Sequence, residues 1–471
     1  MGLSTFFGCS RCNNLAMTAL DDQPGIDTRL PWHMRGNYAP VVDEVEAFDL
    51  PVIGKLPADL NGRYFRNGAN PMNAPTLHWF AGDGMIHGIR IRNGKAEWYR
   101  NRLVRTKALA GVDRFDMTNG SMDLTVGLAN THIVSHANRI LALEEGSFPN
   151  ELSNELDTLG PYNFEGRLDT PMTAHPHTCA ETGEMHFFGY GFMPPFVTYH
   201  VADAGGQLVH TQAIDVPGPT MIHDFAISRN YAIFLDLPVT FNIEDAMSGG
   251  MPFGWEEGYG ARIGLLNREA ARRGEQPRWF DIDLCYIFHI MNAWDDGPDG
   301  HTVWLDAGRH ASMWQGGADK FEPCYLWRWR FDLNTGTVHE EQLDDREHAF
   351  PRIDDRRCGL QNNVGWALSS RDQGRSEMDG SSVFLKYDLG KGTSEVHDFG
   401  PTTVSGEPVF VPSANGTAED DGYVITYLYD KATQSSSFVV LDAHDMSAEP
   451  LAIVPLPQRV PFGFHGSWIA D

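Results

Sequence analysis

Four histidines lie inside apolar or aromatic strings that are remote from one another: Thr173-Ala174-His175-Pro176, Met221-Ile222-His223-Asp224-Phe225, Tyr286-Ile287-Phe288-His289-Ile290-Met291-Asn292 and Gly463-Phe464-His465-Gly466-Ser467-Trp468. A buried neutral imidazole must find partners for its ring nitrogens, and one divalent transition metal satisfies four at once. Taken singly, each is as well explained as a core histidine bonded to a carbonyl. Their convergence is what would make a metal site. Fifteen further histidines serve as decoys, among them His397 in a second His-Asp-Phe string, the pair His132 and His136, and His339 of His339-Glu340-Glu341, whose charged neighbours mark a solvated strand end rather than an iron-binding His-x-Glu.

Residues so far apart meet only if the elements carrying them share an axis. Asn-Gly and Asp-Gly pairs recur from Asn61-Gly62 to Asp421-Gly422, and such pairs supply the positive φ of tight hairpin turns. Residues 88–100 read as a hairpin across Asn93-Gly94, 325–338 as another across Asn334-Thr335-Gly336, and 423–442 as two β-branched and aromatic arms. Helical periodicity is confined to a short stretch at 267–274 with a glycine stop. Strands spread evenly over more than 400 residues, with no linker or low-complexity tract, predict closed radial repetition: an all-β propeller of six to eight blades, although no WD or kelch signature fixes the number. The histidines, 48, 66 and 176 residues apart at 175, 223, 289 and 465, would then stand on different blades.

Composition excludes several functions. The 471 residues carry 36 Lys+Arg against 63 Asp+Glu, a formal charge of -27, which repels nucleic-acid backbones and anionic headgroups. Six cysteines make no disulfide framework, and Cys9-Ser10-Arg11-Cys12 has no second pair to complete a zinc site. Without a signal-type leader or an apolar run of the ~18 residues that span a bilayer, a cytoplasmic protein is expected, a monomer or small homo-oligomer. Residues 1–30 read as an N-terminal extension and 31–471 as one catalytic domain.

Further strings carry a resemblance: Asn37-Tyr38-Ala39-Pro40-Val41, Leu60-Asn61-Gly62-Arg63-Tyr64-Phe65-Arg66-Asn67-Gly68, His78-Trp79-Phe80-Ala81-Gly82-Asp83-Gly84-Met85, Glu407-Pro408-Val409-Phe410-Val411-Pro412 and Arg459-Val460-Pro461-Phe462-Gly463-Phe464-His465-Gly466. In order and spacing, together with the histidine strings, they resemble the carotenoid cleavage oxygenases over nearly the whole chain. The resemblance implies a seven-bladed β-propeller, loops and short helices capping one face, with one non-haem Fe²⁺ on the axis held by His175, His223, His289 and His465 and by no carboxylate. It leaves His177 a bystander. Carboxylates behind such ligands orient them, and Glu145 and Glu407 match two of the family's three glutamates. The third position, before Phe350-Pro351, is Ala349. Glu347, two residues upstream and about 6.6 Å away along an extended strand, is the nearest substitute. Thr131 matches a residue that crowds one open iron position.

The implied reaction is oxidative cleavage of a conjugated C=C bond by O₂ into two carbonyl products, without an organic cofactor. Relatives that cleave stilbenes and phenylpropenes carry a lysine where this chain has Glu144, and residues 105–126 lack their phenol-binding loop. A carotenoid or apocarotenoid is therefore favoured as substrate, with a stilbene or phenylpropenoid as the alternative. Residues 237–259, with Phe241, Phe253 and Trp255, fall at the tunnel mouth of relatives and would either dip into a membrane surface or pack inward as an ordinary loop. Two readings from other classes remain: a metal-free propeller used as a binding platform, and an iron isomerase that turns over without O₂.

Overall fold

Tight turns set the strands. At Asn93-Gly94 both residues have positive φ, 50° and 72°, and Gly84–Arg92 returns as Lys95–Leu103 with Arg92 opposite Lys95. The expected hairpins at 325–338 and 423–442 form likewise, as Cys324–Asp332 with Thr337–Gln342 and Gly422–Asp430 with Ser435–Asp442. The short helix is Arg268–Ala271, capped by Asn267. Not every such pair makes a turn. Asn67-Gly68 lies inside Gly62–Ala69, where wholly buried Asn67 donates to the carbonyls of Ala129 (2.9 Å) and His132 (3.0 Å). The amide is used there as a tie between chain segments, a role that the dipeptide signal does not distinguish from a turn.

The computed structural model describes residues 30–471 apart from 74, 117, 119–120, 249–250, 298–299, 316, 318–320 and 373–380; the Cys9/Cys12 pair and nearly all of the N-terminal extension lie outside the described residues. Seven antiparallel sheets of four to six strands follow one another as the blades of a propeller. The first takes strands between 46 and 103, the next six span 132–161, 177–214, 226–281, 286–342, 349–398 and 403–455, and Gly466–Ala470 returns to pair with Gly62–Ala69 and shut the ring. Ile53–Gly54 adds an outer strand to the seventh blade, a second tie between the ends of the chain.

Seven apolar clusters match the seven interfaces between neighbouring blades. Trp329, Tyr286 and Ile263 join the fifth blade to the fourth, Trp366, Phe384 and Val424 the sixth to the seventh, and Tyr64, Tyr99 and Phe438 the seventh to the first. The other four interfaces have their own clusters. Each fully buried large apolar side chain contributes about 1.5–3 kcal/mol, so the blades hold one another rather than standing alone. Among the described residues no helix is long and apolar enough to cross a membrane.

Candidate metal centre

A propeller brings the starts of its inner strands together around the axis. Those strands begin at His132, His177, Ala226, Tyr286, Ala349, Val409 and Gly466. Within three residues of these starts stand, in blade order, Thr131, His175, His223, His289, Phe350, Glu407 and His465. Four of the seven positions are imidazoles, and one ring nitrogen of each lies within 4.8 Å of the others.

The geometry fits a single ion. His175 Nε2 is 3.0 Å from His223 Nε2, which is 3.2 Å from His289 Nε2. For metal–nitrogen bonds of about 2.1 Å, neighbouring ligands stand about 3.0 Å apart at a right angle and about 3.4 Å apart at the tetrahedral angle. Burial, reinforced by the other imidazoles, holds His175 and His289 well below the ordinary histidine range, so both are neutral and able to donate a lone pair.

Groups behind the rings hold their orientation. Glu145 Oε1 meets Nδ1 of His223, and its Oε2 accepts the Tyr190 hydroxyl at 2.6 Å. Glu407 Oε1 lies 3.0 Å from Nδ1 of His465, while Oε2 accepts the Gly466 amide (2.9 Å) and pairs with Arg352 Nη1 (3.1 Å). Burial raises the Glu407 pKa, but the Arg352 guanidinium and the His465 ring outweigh it and hold the carboxyl at about 2. Among the described residues no carboxylate takes the same place on His289. Its flank is instead the ring of Phe350, with centroids 5.1 Å apart, and Phe350 stands 5.2 Å from His465 on its other side. Phe350 has φ 49°, an unfavourable region for a bulky side chain, at a shift in register between Ala349 and Arg352. Glu347, half-buried, lines the adjoining cavity.

Asp224 and His177 were missed as positioning groups. The Asp224 carboxylate accepts the Phe225 and Ile290 amides, both at 2.8 Å, and lies 3.1 Å from His177 Nε2. It thereby ties together the segments that carry His175, His223 and His289. Its only sequence signal was adjacency to His223. His132, a decoy in sequence, lies beneath the site: its Nδ1 is 2.8 Å from the Ala174 carbonyl and its ring 5.1 Å from His465.

The quartet separates two cavities. One, of ≈380 Å³, is walled by aromatics including Trp79, Phe80, Phe288, Phe321 and Phe464, with Thr131, Glu144 and Glu145 on its margin. The other, of ≈230 Å³, mixes His132, His177, Asp224, Arg352 and Glu407 with apolar residues such as Met291 and Trp468. His289 and His465 face both. Thr131 donates its hydroxyl to Asn130 Oδ1 at 3.0 Å. Glu144 is ion-paired to Arg114, from the segment expected to lack the phenol-binding loop. Phe241, Phe253 and Trp255 are absent from the aromatic cavity's wall; they form the ribbon Val239–Phe241 with Phe253–Trp255, and Phe253 and Trp255 pack against the cluster between the fourth and fifth blades. Phe241 stacks on Phe192, with centroids 5.1 Å apart, and meets Phe253 at 5.8 Å.

Known proteins share this architecture. The family described as retinal pigment epithelial membrane protein matches residues 38–470. A carotenoid cleavage oxygenase of Mycobacterium tuberculosis is 36% identical, covering 93% of this chain and 97% of its own. A carotenoid 9,10(9',10')-cleavage dioxygenase of Crocus sativus is 36% identical over 94% of this chain and 90% of its own. Among solved structures, the Pseudomonas brassicacearum lignostilbene dioxygenase superposes with TM-score 0.83 at 29% identity, covering 94% and 99% of the two chains. A cobalt-substituted Synechocystis ACO does so with TM-score 0.79 at 27% identity over 92% and 97%.

Proposed function

The chain belongs to the family of the carotenoid cleavage oxygenases and the retinal pigment epithelial membrane protein, and on that premise we propose that it is a non-haem Fe²⁺ dioxygenase cleaving a conjugated alkene into two carbonyl products. The observation that carries this is the convergence of four imidazoles beside an aromatic cavity. Fe²⁺ held by His175, His223, His289 and His465 supplies the open-shell chemistry through which O₂ reacts with a closed-shell alkene. Both oxygen atoms leave in the products, one on each former alkene carbon, so no reductant is consumed.

The protein's own contribution is placement. Glu145 and Glu407 fix two ligand rings through their Nδ1 atoms, leaving the opposite nitrogens free to face inward. The aromatic wall binds an extended π-system, holds one double bond beside the metal and excludes water. Thr131 narrows the approach on one side of the site. With ligands drawn from blades between 175 and 465, residues 31–471 act as one catalytic unit.

A carotenoid or apocarotenoid is the substrate class best supported, by 36% identity to two carotenoid-cleaving proteins over nearly the full length. Arg114 favours a second reading, a stilbene or phenylpropenoid: its guanidinium returns positive charge to the corner where Glu144 replaces the phenol-binding lysine of that branch. Met193, Ile243 and Met247 are 69%, 56% and 83% exposed beside the Phe241 ribbon and form an apolar rim suited to a membrane surface that stores such substrates.

The test is O₂ uptake by iron-loaded protein with apocarotenals, stilbenes and propenylphenols, with products identified by mass. Two carbonyl fragments carrying both atoms of ¹⁸O₂ are expected. Turnover under strict anaerobiosis, or failure to retain iron under reducing conditions, would refute the proposal.

A further inference from the structure

The aromatic cavity has one polar corner that the metal centre does not use. His348 is 2% exposed, and among the described residues neither of its ring nitrogens has a hydrogen-bond partner. Its amide is fixed on the Cys324 carbonyl at 2.9 Å, and its ring lies over Gly308, where a Cβ would stand 3.3 Å from His348 Nε2. A Cβ there would meet Cys324 Sγ first, at 2.6 Å, so glycine at 308 leaves room for the Cys324 and His348 side chains together. His310 lies two residues further along the strand Thr302–His310, hence on the same face, and lines the same cavity.

The protonation of His310 follows from its neighbour. Its Nδ1 is 2.6 Å from the Glu322 carbonyl, which only accepts, so Nδ1 carries the proton and Nε2 is a bare acceptor. Burial holds His310 at about 4 and, with His310 beside it, His348 at about 3, so both rings are neutral near pH 7. A neutral His348 offers one N–H and one lone pair. Burying such a group without a partner is unfavourable, whereas a ligand oxygen entering the cavity would satisfy it.

We infer that His310 and His348 form a hydroxyl-recognition corner: an O–H on the terminal ring of the substrate donates to His310 Nε2 and accepts from the N–H of His348. A ring ketone, which only accepts, engages His348 alone, and an unsubstituted ring engages neither. Selectivity should therefore run hydroxyl, then ketone, then hydrocarbon. This rests on the alkene-cleaving reading and specifies which members of that substrate class the cavity prefers.

The test uses two probe pairs, each differing by one ring hydroxyl: an apocarotenal with its 3-hydroxy derivative, and trans-stilbene with 4-hydroxystilbene. Binding is read by tryptophan-fluorescence quenching and turnover by O₂ uptake. In at least one pair the wild type should favour the hydroxylated member by roughly tenfold. His348→Leu should bring that ratio close to one through KM rather than kcat, and His348→Gln, which keeps a donor and an acceptor, should retain most of it. His310→Phe reads the same ratio if the leucine variant does not fold. A wild-type ratio near one in both pairs, or Leu and Gln variants that shift it equally, overturns the inference. Equal kcat/KM for both members with normal O₂ uptake removes the corner and leaves the oxygenase standing; selective binding with no O₂ uptake removes the oxygenase and leaves the corner.

Discussion

Each imidazole of the quartet faces the same point, so deleting one removes a quarter of the donor set and opens the site to water. His223→Ala and His289→Ala should each abolish iron retention and O₂-dependent turnover together, measured by elemental analysis and O₂ uptake on one sample; full activity without bound iron would contradict the assignment. Glu407→Gln keeps the shape and loses the charge that Arg352 and His465 share. It should weaken iron binding or slow turnover by roughly 10–100-fold, read by chelator competition and initial rates. The four histidines were legible because each interrupts an apolar string. Asp224 was not, because a carboxylate beside a histidine looks like any strand-end acid until the fold lays the amides of Phe225 and Ile290 on it. The loss of a glutamate at Ala349 was also legible. What takes its place beside His289 was not, since the strand begins only at Ala349, leaving Glu347 outside it, and Phe350 falls in the register shift that follows.

The loop 461–465 delivers His465 through a tight passage. Arg66 donates to the Pro461 carbonyl at 2.6 Å and crosses directly over Gly463, where a Cβ would lie 1.5 Å from Arg66 Nη1 and 3.0 Å from the Asn67 carbonyl. Gly463→Ala must displace a buried guanidinium, and overpacking of this kind costs about 1–3 kcal/mol. A lower denaturation midpoint and reduced iron occupancy are expected together; unchanged values for both would show that Arg66 moves freely. Hairpins with Asn-Gly turns could be read directly, but the inner strands could not. His177–Thr178 and Ala226–Ile227 are two residues long, too short for any periodicity. Middle strands such as Met185–Tyr190 and Val197–Ala202 are buried almost throughout, because a blade packs on both faces, and alternation between apolar and polar positions is lost.

Over the whole molecule, many imidazoles are enclosed away from charge partners, and acid should unfold the protein for that reason. Burial lowers His200 to about 3, His310 to about 4 and His348 to about 3. With folded values below the unfolded 6.5, the unfolded chain binds more protons, so stability is complete above that pH and falls as pH drops below it. Each such group removes about 1.4 kcal/mol per pH unit until its folded value is reached. Urea midpoints of metal-free protein should decline from pH 7 to pH 4.5; a flat profile would show that these rings charge freely in the folded state. The number of blades was not legible from repetition because their lengths differ, from 132–161 to 286–342, with no common period. Closure of the ring has a consequence for biogenesis. The strand that joins the two ends, secured by Arg63 and Asp471 across 408 positions, is the one that His465 leads into. Until Gly466–Ala470 docks on Gly62–Ala69 the quartet lacks its fourth imidazole, so closing the ring and completing the candidate metal centre are one event.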